Sequence, residues 1–358
     1  MIAFAPAGGR LAGSVSAVLA VVALALPASA AAKRDPDPLS LGPISPNGAA
    51  GPVRDTVLDG GELERLRARS AAAAEVYPDA DGHSVSVEVS RSYANRGAVA
   101  RGLVAFLGTL LHGDEMDQLS VMLATPGEIR RACGPDALAC YSPTTERMVV
   151  SGQDARPGEP PRELVIAHEY GHHVAANRSN RPWSALDRGT KRWSTHEGIC
   201  RGIERRRIDP FEYLENPGEA FAEAFAFYHF PDVIRWGWKI ARPDAGAFDA
   251  IRADVELPWT RGTGVEWSGV LDRDDPRDVR RVRTPLDGTL KVKLRGPRGA
   301  DFDLAVLGAK RKRRVLKRAD TRGRRDTLRF TLCGKRTVRI AVSRDRGRGK
   351  FEVTAARP

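Results

Sequence analysis

After its first thirty-two residues the chain lacks any apolar run long enough to cross a bilayer, which excludes a later membrane span and predicts a soluble mature protein. Cysteine is scarce. Four residues allow three pairings, and the sequence alone does not choose among them. Cys133 and Cys140, in "CGPDALAC", form the favoured pair because Gly134 and Pro135 let the chain turn back, whereas Cys200 and Cys333 either pair or stay as buried or free thiols. Residues 33–60 have few large apolar side chains and are dense in Pro and Gly, the composition of a linker or short pro-segment. Acidic residues are scarce at the other end: from Trp259 to Pro358 there are 29 Lys and Arg against 12 Asp and Glu. That net of +17 exceeds the +12 of the whole chain, so the rest is slightly acidic and the basicity belongs to the last hundred residues.

What is present divides the 358 residues into pieces. Residues 1–32 read as a secretory signal, with Arg10 as the sole charge, the apolar stretch "LAGSVSAVLAVVALALP" and a small-residue cleavage pattern at Ala28-Ser29-Ala30. Cleavage near Ala30 to Ala32 makes the chain a secreted, extracellular protein; the competing reading is an anchor that stays in place. At 42% hydrophobic residues overall, the chain is long enough for about two domains.

In the first, residues 61–257, a helical pattern covers "ELERLRARSAAAAEVY" and period-2 alternation marks "HSVSVEVS" as a strand. A helix comes next from Asn95 to His112, then strands at "DQLSVMLA" and "ERMVVSG", the latter placed at a sheet edge. Arg181 to Glu212 resists assignment. "NPGEAFAEAFAFYHF" is a clear helix, with Asn216 as N-cap and Pro217 at its first position, and a further helix spans Asp244 to Val255. Residues 258–358 alternate apolar and polar positions between Gly, Pro and Asp, the texture of a β-sandwich or barrel. The fold class is therefore α+β followed by all-β.

The stretch "ELVIAHEYGHHVAANRS" carries the chemistry. On a helix, His168 and His172 stand four apart and project from one face, close enough to ligate one ion. Glu169, rotated by about 100°, reaches a metal-bound water without taking a coordination position. Imidazole and carboxylate donors suit Zn²⁺, and a fourth position left for water distinguishes a catalytic site from a closed one. Gly171 is expected to keep the helix surface clear beside the metal, and His173 to point elsewhere, at the surface or behind the ligands. Further along, "NPGEAFAEAF" offers Glu219 as third ligand and, one turn on, Glu223 to bond the distal nitrogen of a ligating histidine. The alternative for Glu219 is local: three residues after Asn216, it completes a capping box.

HExxH followed by a downstream glutamate helix resembles the gluzincin metallopeptidases, and "GEAFAEAF" is similar to the catalytic domain of the anthrax lethal factor group. The resemblance covers mainly residues 160–230. It implies a zincin-like domain in which His168, His172 and Glu219 hold zinc, Glu169 is the general base and Glu223 stands behind the ligands. It also makes Tyr213 a candidate oxyanion donor, at a slightly different offset from that group's tyrosine; otherwise Tyr213 is a half-buried loop aromatic. The order "TPLDGTLKVKL…GADFDLAVL" looks like the bacterial pre-peptidase C-terminal domain, a jelly-roll-like sandwich that follows secreted peptidases. "KRKRRVLKR" departs from that group's acidic or neutral character.

The expected activity is zinc-dependent hydrolysis of peptide bonds in a protein or peptide substrate by a monomer. Two other classes remain: a zinc hydrolase of a non-peptide bond, and a binding protein whose basic sandwich engages anionic cell-envelope polymers. Basic charge is also the ordinary composition of a solvated face, and nucleic acid ranks last for an exported chain.

Overall fold

The computed structural model describes residues 53–57, 72–309 and 314–358. The signal-like leader, most of the linker, the helical pattern from Glu62 to Ala71 and the start of the basic run after Ala309 lie outside the described residues. The described part belongs to one compact unit with two large hydrophobic cores.

The front half is α+β. Strands β1 (Glu75–Pro78) and β2 (Ser84–Val89) precede helix α1 (Arg96–Leu107) and β3 (Ser120–Ala124). Helix α2 (Pro126–Cys133) then leads to β4 (Cys140–Ser142), β5 (Arg147–Ser151) and α3 (Arg162–Ala176). The sheet order is β1-β2-β3-β5-β4, parallel through β2, β3 and β5 and antiparallel at both outer strands. Three expectations are corrected. "EVYP" at the end of the first helical pattern is strand β1, because cross-strand pairing of Val76 and Tyr77 with Ser86 and Val85 outweighs the local helix preference of the alanine run. "ERMVVSG" is an interior strand, and the edge belongs to the three-residue β4. Helix α1 stops at Leu107, short of His112.

The segment left unassigned contains the short pair β6 (Ser179–Asn180) and β7 (Trp183–Ser184). Three brief helices come after it, α4 (Ala185–Arg188), α5 (Lys191–Glu197) and α6 (Ile199–Glu204). Helix α7 (Pro217–His229) starts where expected, with the Asn216 side chain accepting hydrogen bonds from the Gly218 and Glu219 amides. Helix α8 (Ala245–Glu256) is capped by Asp244. Both α3 and α7 are buried almost all round. That burial, more than any amphipathic stripe, accounts for their run of Ala, Val, Ile and Phe.

From Thr263 the chain forms two antiparallel four-stranded sheets compatible with a β-sandwich. One sheet contains β8 (Thr263–Leu271), β10 (Gly288–Arg295), β13 (Arg325–Leu332) and β15 (Gly349–Arg357). Its counterpart contains β9 (Arg277–Thr284), β11 (Asp301–Leu307), β12 (Val315–Ala319) and β14 (Arg336–Arg346). Leu290, Val292 and Val353 of the first meet Leu304, Ile340 and Val342 of the second in a shared core, the inward half of the alternation visible in the sequence.

Two disulfides staple the chain: Cys133 to Cys140, and Cys200 to Cys333. The second joins α6 to the sandwich. Beside it Arg201 donates to the Cys333 carbonyl, the Asp287 amide donates to the Thr195 hydroxyl, and the Lys191 ammonium sits 4.5 Å from the Trp259 ring centre. Loop-closure entropy makes a cross-link spanning 133 residues worth more than one spanning 7. Replacing Cys200 and Cys333 together by serine is expected to cost about 4–5 kcal/mol, against about 2 kcal/mol for Cys133 and Cys140, measured by urea unfolding of the oxidised proteins.

Candidate metal centre

Two helices meet at one buried point. Helix α3 presents His168 and His172 one turn apart, with ring centres 5.0 Å from each other. Helix α7 crosses it, and the contact is close because small residues face each other: a Cβ built on Gly171 would come within 2.8 Å of Ala222 Cα. Gly171 therefore clears space for the second helix, not for an ion.

Glu219, in the first turn of α7, directs Oε2 to 3.6 Å from His168 Nε2 and 3.4 Å from His172 Nε2. Its carboxylate does not close a capping box, so the local alternative is not the one adopted. One turn further, Glu223 Oε2 lies 2.9 Å from His168 Nδ1, an orientation that leaves Nε2 free as a donor to a ligand.

A fourth side chain enters from the stretch read as a linker or short pro-segment. Asp55 Oδ2 is 3.2 Å from His172 Nε2, and its Oδ1 is 3.9 Å from His168 Nε2. Together Asp55, His168, His172 and Glu219 form a group whose donor atoms all lie within 4.8 Å of one another. Both Asp55 oxygens, both Nε2 atoms and Glu219 Oε2 are buried without a hydrogen-bond partner. Orphaned polar atoms are costly in the interior. Four donors around a tetrahedral ion at ordinary bond lengths would stand about 3.3–3.4 Å apart, close to the separations seen here, so the residues fit a divalent cation.

Glu169 is also fully buried, and neither of its oxygens has a partner. Without a cation the cluster redistributes protons. Burial and the Asp55 charge push Glu169 well above the usual carboxylate range, and burial with the Glu219 charge raises Asp55. Burial works against charge on His172, but the Glu219 and Asp55 carboxylates override it and push the group up to about 10. Glu219 moves the other way: burial opposes its charge, yet the two imidazoles hold it well below its ordinary value.

The surrounding residues fix this geometry. His173, expected at the surface or behind the ligands, lies behind them: it is fully buried, with Nε2 2.7 Å from the Glu115 carbonyl and Nδ1 3.1 Å from the Tyr141 hydroxyl. Tyr141, on edge strand β4, in turn stacks on His172 with ring centres 6.4 Å apart. Tyr213, 39% exposed, lies in the short 3₁₀ turn before α7 and donates its hydroxyl to the Val53 carbonyl. The structure thus brings His168, Glu169, His172, Glu219 and Glu223 together, with Tyr213 facing the segment that carries Asp55. Sequence reasoning missed Asp55 and Tyr141. No spacing rule connects one of the four aspartates of a Pro- and Gly-rich stretch to a helix more than a hundred residues away.

A second group, Asp79, Asp81 and His112, also has donor atoms close together. There Asp79 Oδ1 already accepts from the Asp81 and His83 amides of a turn, and Asp81 is exposed.

No family model matches the chain, and no curated protein matches it. Among solved structures it is similar to the pre-peptidase C-terminal domain of a collagenase from Bacillus anthracis, at 14% identity and a TM-score of 0.23, over 26% of this chain and 89% of that one. It is similar as well to the Yersinia pseudotuberculosis-derived mitogen, at 13% identity and a TM-score of 0.22, over 27% and 87%.

Gly171→Ala tests the helix crossing. The added methyl must push α7 away from α3, at a cost of about 1–3 kcal/mol, and carry Glu219 from the histidines. Calorimetry should show a lower Tm and a weaker uptake of divalent metal than the parent.

Proposed function

We propose that the chain is a secreted zinc-dependent endopeptidase with a zincin-like catalytic domain. The observation that carries this reading is a buried, unpartnered Glu169 beside a converging His168, His172 and Glu219. A purely structural metal site has no use for a further acid sealed in beside the four donors.

His168, His172 and Glu219 would hold the ion, and Glu223 keeps His168 in the tautomer that offers Nε2. When bound, zinc supplies Lewis-acid polarisation of a carbonyl and lowers the pKa of an attacking water. Glu169 accepts the proton of that water and returns it to the leaving amine. The hydroxyl of Tyr213, which donates to the Val53 carbonyl, would donate to the oxygen that gains charge at the scissile group. The Leu138 and Tyr141 amides, on and before edge strand β4, donate here to the Arg54 and Thr56 carbonyls, and an extended substrate would pair along the same edge. The leader pattern supports export, and the sandwich serves as an accessory domain.

A second role for the sandwich rests on Arg280, Arg281 and Arg283, exposed along β9 at the rim of one sheet. They would hold an anionic envelope polymer, with retention that fades as salt rises.

Two outcomes are expected. In chains carrying Asp55→Ala, which frees the fourth donor position, adding Glu169→Gln should keep the zinc and lower hydrolysis of a casein substrate by about 10²–10⁴-fold; equal, measurable turnover with and without it at equal metal content would remove Glu169 from the mechanism. Because the raised His172 must lose its proton before it can ligate, zinc uptake should release protons and its apparent affinity should rise with pH. Titration calorimetry in buffers of different ionisation heat measures that release.

A further inference from the structure

The fourth donor at the centre is where a hydrolytic site must admit water and substrate. Here it is taken by Asp55, and the neighbours of Asp55 occupy the peptide-binding edge. The Leu138 amide donates to the Arg54 carbonyl at 3.0 Å and the Tyr141 amide to the Thr56 carbonyl at 3.3 Å. Val57 forms an isolated parallel bridge with Tyr141, so the segment runs alongside β4 and pairs with it as an extended peptide would. Val53 is fully buried in the main hydrophobic core, and its carbonyl receives the Tyr213 hydroxyl. Each group that the peptidase reading assigns to substrate thus has an intramolecular occupant: two edge-strand amides, the tyrosine hydroxyl and the open metal position. Glu169 has no solvent-exposed surface with the segment in place.

We propose that residues 53–57 are a tethered, substrate-mimicking inhibitor in which the Asp55 carboxylate closes the metal centre, so that the chain as it stands is a latent precursor. The inference rests on the peptidase reading of the site and names its regulation. Backbone pairing supplies the register, and the carboxylate supplies the block. Hydrolysis of one peptide bond between Val57 and Ala72 would turn this tethered occupant into a separate peptide. The block would then no longer benefit from the effective concentration, in the millimolar range, that a short linker provides.

The test uses the uncut chain with residues 53–57 in place, loaded with Co²⁺ as a visible reporter, as the parent, as Asp55→Asn and as Asp55→Ala. The probe is acetohydroxamate, followed by the change in the cobalt absorption bands. Both variants should stay stoichiometrically loaded after gel filtration and bind the probe at least about 100-fold more tightly than the parent, with Asp55→Asn keeping the backbone pairing intact. The proposal is overturned if both variants lose the metal, which would make Asp55 a permanent structural ligand, or if the parent binds the probe as tightly as they do. A casein assay on the zinc forms separates the two readings. Probe binding in the variants without hydrolysis upholds the block and removes the peptidase assignment. Equal hydrolysis by parent and variants upholds the peptidase and removes the block.

Discussion

The close contact of α3 with α7, glycine against alanine, is the constraint on which the centre depends. With Gly171 facing Ala222, the helices come close enough for two imidazoles on one and a carboxylate on the other to reach a common point. Both helices are fully packed, so their crossing is held by the core around them rather than by the polar groups it assembles. This division of labour lets the polar cluster remain under-satisfied. Apolar burial supplies the stability, and the cluster draws on it.

A group of buried acids and imidazoles with orphaned atoms is unfavourable by itself. Partial protonation softens the conflict, since each histidine gains from neighbouring carboxylates what burial takes away. A bound divalent cation would relieve it more fully, and binding to the folded chain alone would then add to folding stability. Tyr141 and His173 sharpen the arrangement. Through them, edge strand β4 is tied to the helix that bears the histidines, so strand and centre share one frame.

Much of the front half was legible because it is written in local periodicity. The four-residue spacing of His168 and His172, the Asn216-Pro217 start of α7 and the turn between Cys133 and Cys140 each depend on neighbours close in sequence. Glu219 was legible only as one of two options, since a third-position acid serves a cap as readily as a ligand. Strand order was not legible: nothing within "ERMVVSG" says that a three-residue strand before it takes the edge. Asp55 was hidden for the same reason on a larger scale. Its role comes from chain that folds back across the sheet, and the composition of residues 33–60 suggests only the absence of a core. The alternation from Thr263 onward pointed to short paired strands, and two antiparallel four-stranded sheets are what that stretch forms.

The bond between Cys200 and Cys333 bears on the fate of the basic module. Its covalent route to the front half is not only the main chain between Glu256 and Thr263 but also a sulfur bridge anchored in α6. A nick in that connecting stretch would leave both fragments travelling as one particle through an oxidising medium. Shedding the module therefore demands a reductant as well as a cut, which couples its release to the redox state of the surroundings.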